Sequence, residues 1–210
     1  MTDLCGKGSY FHIGCDEAYN FEFTEENMDC LCDLINGISE EMRSKDRRVM
    51  VWGDMFLYRY PHYNPNNRYT CNAPSPDVEA YMLEHLSRDV IIADWQYLSP
   101  QSPIETAAVF QKAGFECVLC PYDTGLAHTR AALSTVKEQG LQGIMHTTWH
   151  TLSKGMPYVM LVAVGGFEDV EKIGINQLRT YSATLMRKVM PINGDYERAG
   201  WSKFQISGLW

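Results

Sequence analysis

An α/β fold built on a parallel sheet is what this sequence predicts, on three observations. Short β-rich runs recur along the chain, at Tyr10 to Gly14, Val49 to Trp52, Val90 to Trp95, Glu116 to Cys120 and Gly143 to Thr147. Their apolar character is nearly continuous (VMVW, VIIADW, ECVLC), the habit of strands buried on both faces rather than the alternation of a half-exposed antiparallel sheet. Helical stretches lie between them, so β-then-α units follow one another. Periodicity alone leaves two architectures open, a doubly wound sheet and a (β/α)8 barrel.

The elements follow in order. After the first run, Thr24 to Lys45 reads as a helix, with Thr24 as its cap and Glu25 and Glu26 in a first turn where the helix dipole favours negative charge. Asp77 to Leu86 precedes the third run. Ser102 is placed to cap Pro103 to Ala113, and Thr129 to Gln139 ends before Gly140, a residue suited to a left-handed helix end. Past Thr151 one helix is expected around Pro157 to Val164 and another around Val170 to Val189, stopped by Pro191. Residues 1–192 are read as one domain. The tail, 193–210, shows no clear period, and its apolar residues predict that it wraps onto the domain or pairs with another chain.

Composition narrows the function. The 210 residues are 45% apolar, 12% aromatic and 21% charged, inside the globular range, which excludes disorder as the dominant state. A formal net charge of −8 repels phosphate backbones and anionic lipid, so neither nucleic acid nor a membrane surface is an expected partner. No apolar run reaches the roughly 18 to 20 residues that span a bilayer, and the first residues lack a signal-peptide core; a soluble, cytoplasmic protein is expected. The 7 cysteines are an odd count without framework spacing, as for free thiols. Cys117 and Cys120 form a CxxC, but inside an expected strand and without a second pair, so core packing is the preferred reading over metal or redox chemistry.

The sharpest local feature is His12-Ile13-Gly14-Cys15-Asp16-Glu17, adjacent carboxylates where the first strand ends. Ligands of parallel α/β folds sit at the C-terminal strand ends. Two like charges so close do not both ionise freely, which leaves one as a proton donor beside a permanent anion, the division of labour that glycoside hydrolysis needs. The plain alternative is a solvated pair capping the next segment. Trp52, Trp95 and Trp149 weigh against it, because all fall at or just beyond expected strand ends and flat aromatic walls grip the weakly apolar faces of sugar rings.

With YFHIGCDEAYN, VWGDMF and TTWHT in view, the chain resembles glycoside hydrolase family 20, the β-N-acetylhexosaminidases, and most closely their cytosolic hexosaminidase D-like branch. The resemblance spans roughly residues 10–167 and rests on the first motif, which matches the family signature closing the fourth barrel strand. It implies that Glu17 is the general acid and later the general base, and that Asp16 orients the substrate's 2-acetamido group, whose own carbonyl oxygen attacks the anomeric carbon with net retention. It further implies that Trp52 and Trp149 wall the sugar pocket, with Trp95, Tyr97 and Tyr122 as further wall or acetamido-binding residues, Asp123 beside Tyr122, and Asp54 on a sugar hydroxyl. The substrate implied is an oligosaccharide or glycoconjugate ending in an N-acetyl-hexosamine; no cofactor and no metal is implied. Where the family often places a carboxylate two residues after the last-strand tryptophan, this chain has Thr151.

If HIGCDE closes the fourth strand, the five runs are the fourth to eighth strands of a partial TIM (β/α)8 barrel, the C-terminal portion of a domain that typically takes about 250 residues. Three ways of covering its apolar edges are then open: the sequence is a truncated form of a longer one, copies of the chain cover one another, or an N-terminal partner completes the barrel. Two rivals follow. A metal-dependent hydrolase would draw on His12, Asp16, His146 and His150, but in a continuing strand His146 and His150 would stand about 13 Å apart. A catalytically incomplete fragment that at most binds N-acetylated sugars is the other, since a pocket short of walls is wet and poorly preorganised.

Overall fold

Every apolar run joins one parallel sheet. The computed structural model describes residues 8–59, 64–149, 152–165 and 172–189. In it β1 (Tyr10–His12), β2 (Arg48–Trp52), β3 (Ile91–Asp94), β4 (Cys117–Leu119) and β5 (Gly143–Ile144) form a 5-stranded sheet in the order β1-β2-β3-β4-β5. Each neighbouring pair is parallel, in registers such as Phe11 with Val49, Val51 with Ile92 and Ala93 with Val118. A doubly wound sheet reverses its strand order at a switch point, whereas this one adds each strand beside the last, the winding of a (β/α) barrel. The architecture is α/β and compatible with a partial barrel.

Helices fill the connections: α1 (Glu25–Arg43), α2 (Pro76–His85), α3 (Thr106–Lys112), α4 (Leu126–Gln139), α5 (Leu152–Gly165) and α6 (Ile175–Val189). In α1 the Thr24 side chain accepts from the Asn27 N–H, and Met28, Cys32, Ile35, Ser39 and Met42 form one buried stripe at helical spacing. Ser75 caps α2 through the Val78 N–H, with Pro76 pre-shaped for the first turn. Gly140 ends α4 at φ 62°, the left-handed position expected of it.

Several boundaries differ from expectation; β5 stops at Ile144 rather than Thr147, α6 starts at Ile175, and three other helices begin elsewhere than expected. α3 starts at Thr106 rather than Pro103, because the Ile104 N–H is bonded to Thr135 Oγ1 of α4 at 2.9 Å and Glu105 accepts from the Asn64 N–H and the Tyr69 hydroxyl instead of opening a helix. α4 begins a turn before Thr129, straight after Gly125. α5 contains Pro157 in its interior instead of starting there. The expected start of the last helix, Val170, and the tail 193–210 lie outside the described residues.

The strands divide the core by parity. Val49, Val51, Ile92, Cys117 and Leu119 face Ile35, Met82, Phe110 and their neighbours on the helices. Met50, Trp52, Ile91, Ala93, Val118 and Cys120 form a second cluster on the opposite face, joined by Trp95 and Met145. Burying each large side chain of this kind stabilises the fold by about 1.5–3 kcal/mol. Cys117 and Cys120 fall on opposite faces, so this CxxC neither closes a disulfide nor grips one ion. Burial pushes both thiols up, in keeping with inert core residues. No helix among the described residues is long and apolar enough to cross a membrane.

Candidate active site

Pairing between the first two strands runs on past β1: the Ile13 N–H reaches Met50 O and the Trp52 N–H reaches Gly14 O, each at 3.0 Å. The chain then turns through left-handed backbone at Gly14 (φ 79°), Cys15 (φ 70°) and Glu17 (φ 47°). For a residue with a Cβ this conformation costs roughly 1–2 kcal/mol. Two hydrogen bonds hold it, Gly14 N–H to His12 Nδ1 at 3.0 Å and Glu17 N–H to Asp54 Oδ2 at 2.9 Å. The second is charge-assisted and contributes about 1.5–3 kcal/mol, enough to offset one strained residue. In a straight strand successive side chains face opposite sides. The left-handed turn instead lets Asp16 and Glu17 line one pocket.

That pocket holds about 330 Å³ and is lined by Asp16, Glu17, Trp52, Trp95, Tyr97 and Trp149. It opens where the strands end, on the side where parallel sheets carry their ligands. Trp52 closes β2 and is nearly buried; Trp149, past β5, is 56% exposed at the rim, and their ring centroids lie 6.1 Å apart. Trp95 and Tyr97 follow β3, with centroids 4.9 Å apart. The Tyr97 hydroxyl accepts from the Trp149 indole N–H at 2.6 Å and lies 3.0 Å from Thr147 Oγ1, which ties the β3 and β5 sides of the wall together.

Asp54 lies beneath this wall. Gly53, just before it, passes so close to the helix layer that a Cβ there would stand 2.8 Å from both Ile92 Cγ2 and Phe110 Cζ. The short 3-10 turn Asp54–Phe56 then seats the carboxylate at 1% exposure. Its Oδ2 accepts from the Glu17 N–H and from Asn72 Nδ2 at 2.7 Å, and its Oδ1 from the Trp95 indole at 2.9 Å. Burial pushes the carboxyl up, opposed by these donors. Three protein donors thus engage the Asp54 oxygens, and Asp54 is not among the residues that line the pocket.

Tyr122 and Asp123 also lie outside the pocket lining. The Tyr122 ring sits 5.1 Å from that of Tyr97. Burial first, and then the Asp123 carboxylate, push its phenol up. His12 stacks 4.3 Å from Trp52; because its Nδ1 accepts a bond, the proton belongs on Nε2, which is buried without a partner among the described residues. Burial lowers the His12 pKa against an opposing pull from Asp16, keeping the ring neutral near pH 7.

Among the described residues no three His, Cys, Asp or Glu side chains stand close enough to hold a metal ion. His150 and Thr151 lie outside the described residues. Three contributors were invisible in the sequence. Asn72 and Thr147 act only through contacts distant in the chain, and Tyr19, 76% exposed, stands beside Glu17, whose side chain is the first cause pushing its phenol up. Its position two residues after Glu17 is the one signal that pointed there. Comparison with protein-family models and with curated proteins found no match to this chain.

Proposed function

We propose that the chain is a β-N-acetylhexosaminidase-type glycoside hydrolase that removes a terminal N-acetyl-hexosamine with retention. The observation that carries this reading is the convergence of two consecutive carboxylates, Asp16 and Glu17, with four aromatic rings on one small pocket at the strand ends. The rings supply apolar faces for one sugar residue. Glu17 stands at the open side, where it gives its proton to the departing glycosidic oxygen as the C–O bond breaks. The substrate's acetamido oxygen forms the new bond to the anomeric carbon, and the positive charge that develops on the amide nitrogen is stabilised by Asp16. Water then attacks the anomeric carbon, returns the acetamido group and passes its proton to Glu17.

Since β1 and β5 are the edges of the sheet among the described residues, the same reading has those edges covered by a second copy of the chain or by an N-terminal partner in the active form. The test is cleavage of methyl N-acetyl-β-D-glucosaminide, whose leaving group needs a proton, by the purified chain, with Glu17→Gln as the control. Turnover is expected, lowered about 10²–10⁴-fold by the substitution. Turnover unchanged in Glu17→Gln, or a folded protein that binds the sugar and never cleaves it, overturns the hydrolase reading.

A further inference from the structure

Asp54 joins two parts of the pocket that come from different strands. One of its oxygens takes the peptide N–H of Glu17, beyond β1; the other takes the indole N–H of Trp95, beyond β3. Asn72 secures it twice, through Nδ2 to Oδ2 and through its own N–H to the Asp54 carbonyl, both at 2.7 Å. The three partners of the carboxylate are all neutral donors. A carboxylate is planar and rigid, so the positions of its two oxygens fix the peptide and the indole relative to each other.

We propose that Asp54 is a positioning residue, whose carboxylate sets the place of Glu17 against the aromatic wall and thereby the reach of the proton donor to the leaving oxygen. This rests on the hydrolase reading above. An amide at position 54 offers an N–H where a donor now points, so Asp54→Asn must release either the Glu17 peptide or the Trp95 indole. Displacing a reacting group by about 1 Å costs on the order of 100-fold in rate.

The decisive readout is dependence on the leaving group. A methoxide leaving group needs the proton from Glu17, whereas a nitrophenolate leaves with little help. Asp54→Asn is expected to lower kcat/KM about 100-fold on methyl N-acetyl-β-D-glucosaminide and far less on the nitrophenyl glycoside. Asn72→Ala, which loosens the carboxylate without altering it, is expected to show the same bias more weakly, and serves if the first variant does not fold. In a Glu17→Gln background Asp54→Asn should add nothing on the methyl substrate, because both changes remove one function. Equal losses on both leaving groups from folded variants, or additive losses in the double variant, overturn the proposal. Should the wild type cleave neither substrate, the hydrolase reading fails. The positioning role is then decided by NMR: the Glu17 amide and Trp95 indole resonances must shift together in Asp54→Asn or Asn72→Ala while the Trp149 indole holds. Independent behaviour of the two signals overturns it.

Discussion

The middle of the sheet and its flanks are built differently. β2, β3 and β4 are buried along nearly their whole length, whereas β1 and β5 are short and only half-buried, with Tyr10 53% exposed. The candidate chemistry is divided the same way. Trp52 and Trp95 come from the middle, while Asp16, Glu17 and Trp149 hang from the flanks. The difference shows that order in the pocket is borrowed: groups on weakly packed ends are held by bonds to residues anchored in the core, Glu17 by Asp54 and Trp149 by Tyr97.

The comparison breaks most visibly if core and flank substitutions cost alike. Phe110→Ala, at a fully buried ring between α3 and the sheet, is expected to destabilise by about 3–5 kcal/mol in urea melts. Glu17→Gln should leave the same melt unchanged while it abolishes most turnover, and a shared loss of stability would erase the distinction between middle and flank.

A pH comparison sharpens it. Asp94, fully buried at the end of β3, is raised to about 6 by burial despite bonds from Thr106 and Gln96. Between its unfolded value of 3.8 and about 6 the folded state binds the extra proton, so stability falls as pH rises through that window. Relative to wild type, Asp94→Asn should gain about 3 kcal/mol on going from pH 4 to pH 7, read from paired melts. A flat difference would show the carboxylate to be better solvated than its burial implies.

Gly53→Ala comes next, with an expected loss of about 1–3 kcal/mol, since the new methyl meets Ile92 and Phe110. It should also lower activity by lifting Asp54, and a silent alanine would mean that the helix layer yields at this point. The smallest effect on stability at pH 7 belongs to a flank. His146, past β5, is lowered by burial to about 4, stacks on Tyr158, and has no partner for either ring nitrogen among the described residues. Between about 4 and the unfolded 6.5 the unfolded chain binds the extra proton, so this residue makes stability rise with pH, opposite in sign to Asp94. His146→Phe should remove that rise and leave stability at pH 7 equal or slightly higher.

Much of the fold was legible in the sequence because buried parallel strands are nearly continuous apolar runs, as VMVW and VIIADW are, and caps such as Thr24 and Gly140 act locally. The start of α3 was not, because a bond from Ile104 to Thr135, far along the chain, decides it. The site divides likewise. Asp16, Glu17, Trp52, Trp95 and Trp149 are read from their places at strand ends and Tyr97 from the resemblance, and these six meet in one pocket. The resemblance gives Asp54 as a residue on a sugar hydroxyl. Its position beneath the wall depends on Glu17, Asn72 and Trp95, which only the folded chain brings together.

The strand order β1-β2-β3-β4-β5 bears on timing as well as shape. Each strand pairs with the strand before it in the chain, so every parallel pairing closes a loop of a single β-α unit. The Asp54 junction needs nothing beyond Trp95, whereas the bond from Trp149 to Tyr97 waits for the chain past β5. The rim of the pocket thus depends on the segment made after the last strand of the sheet.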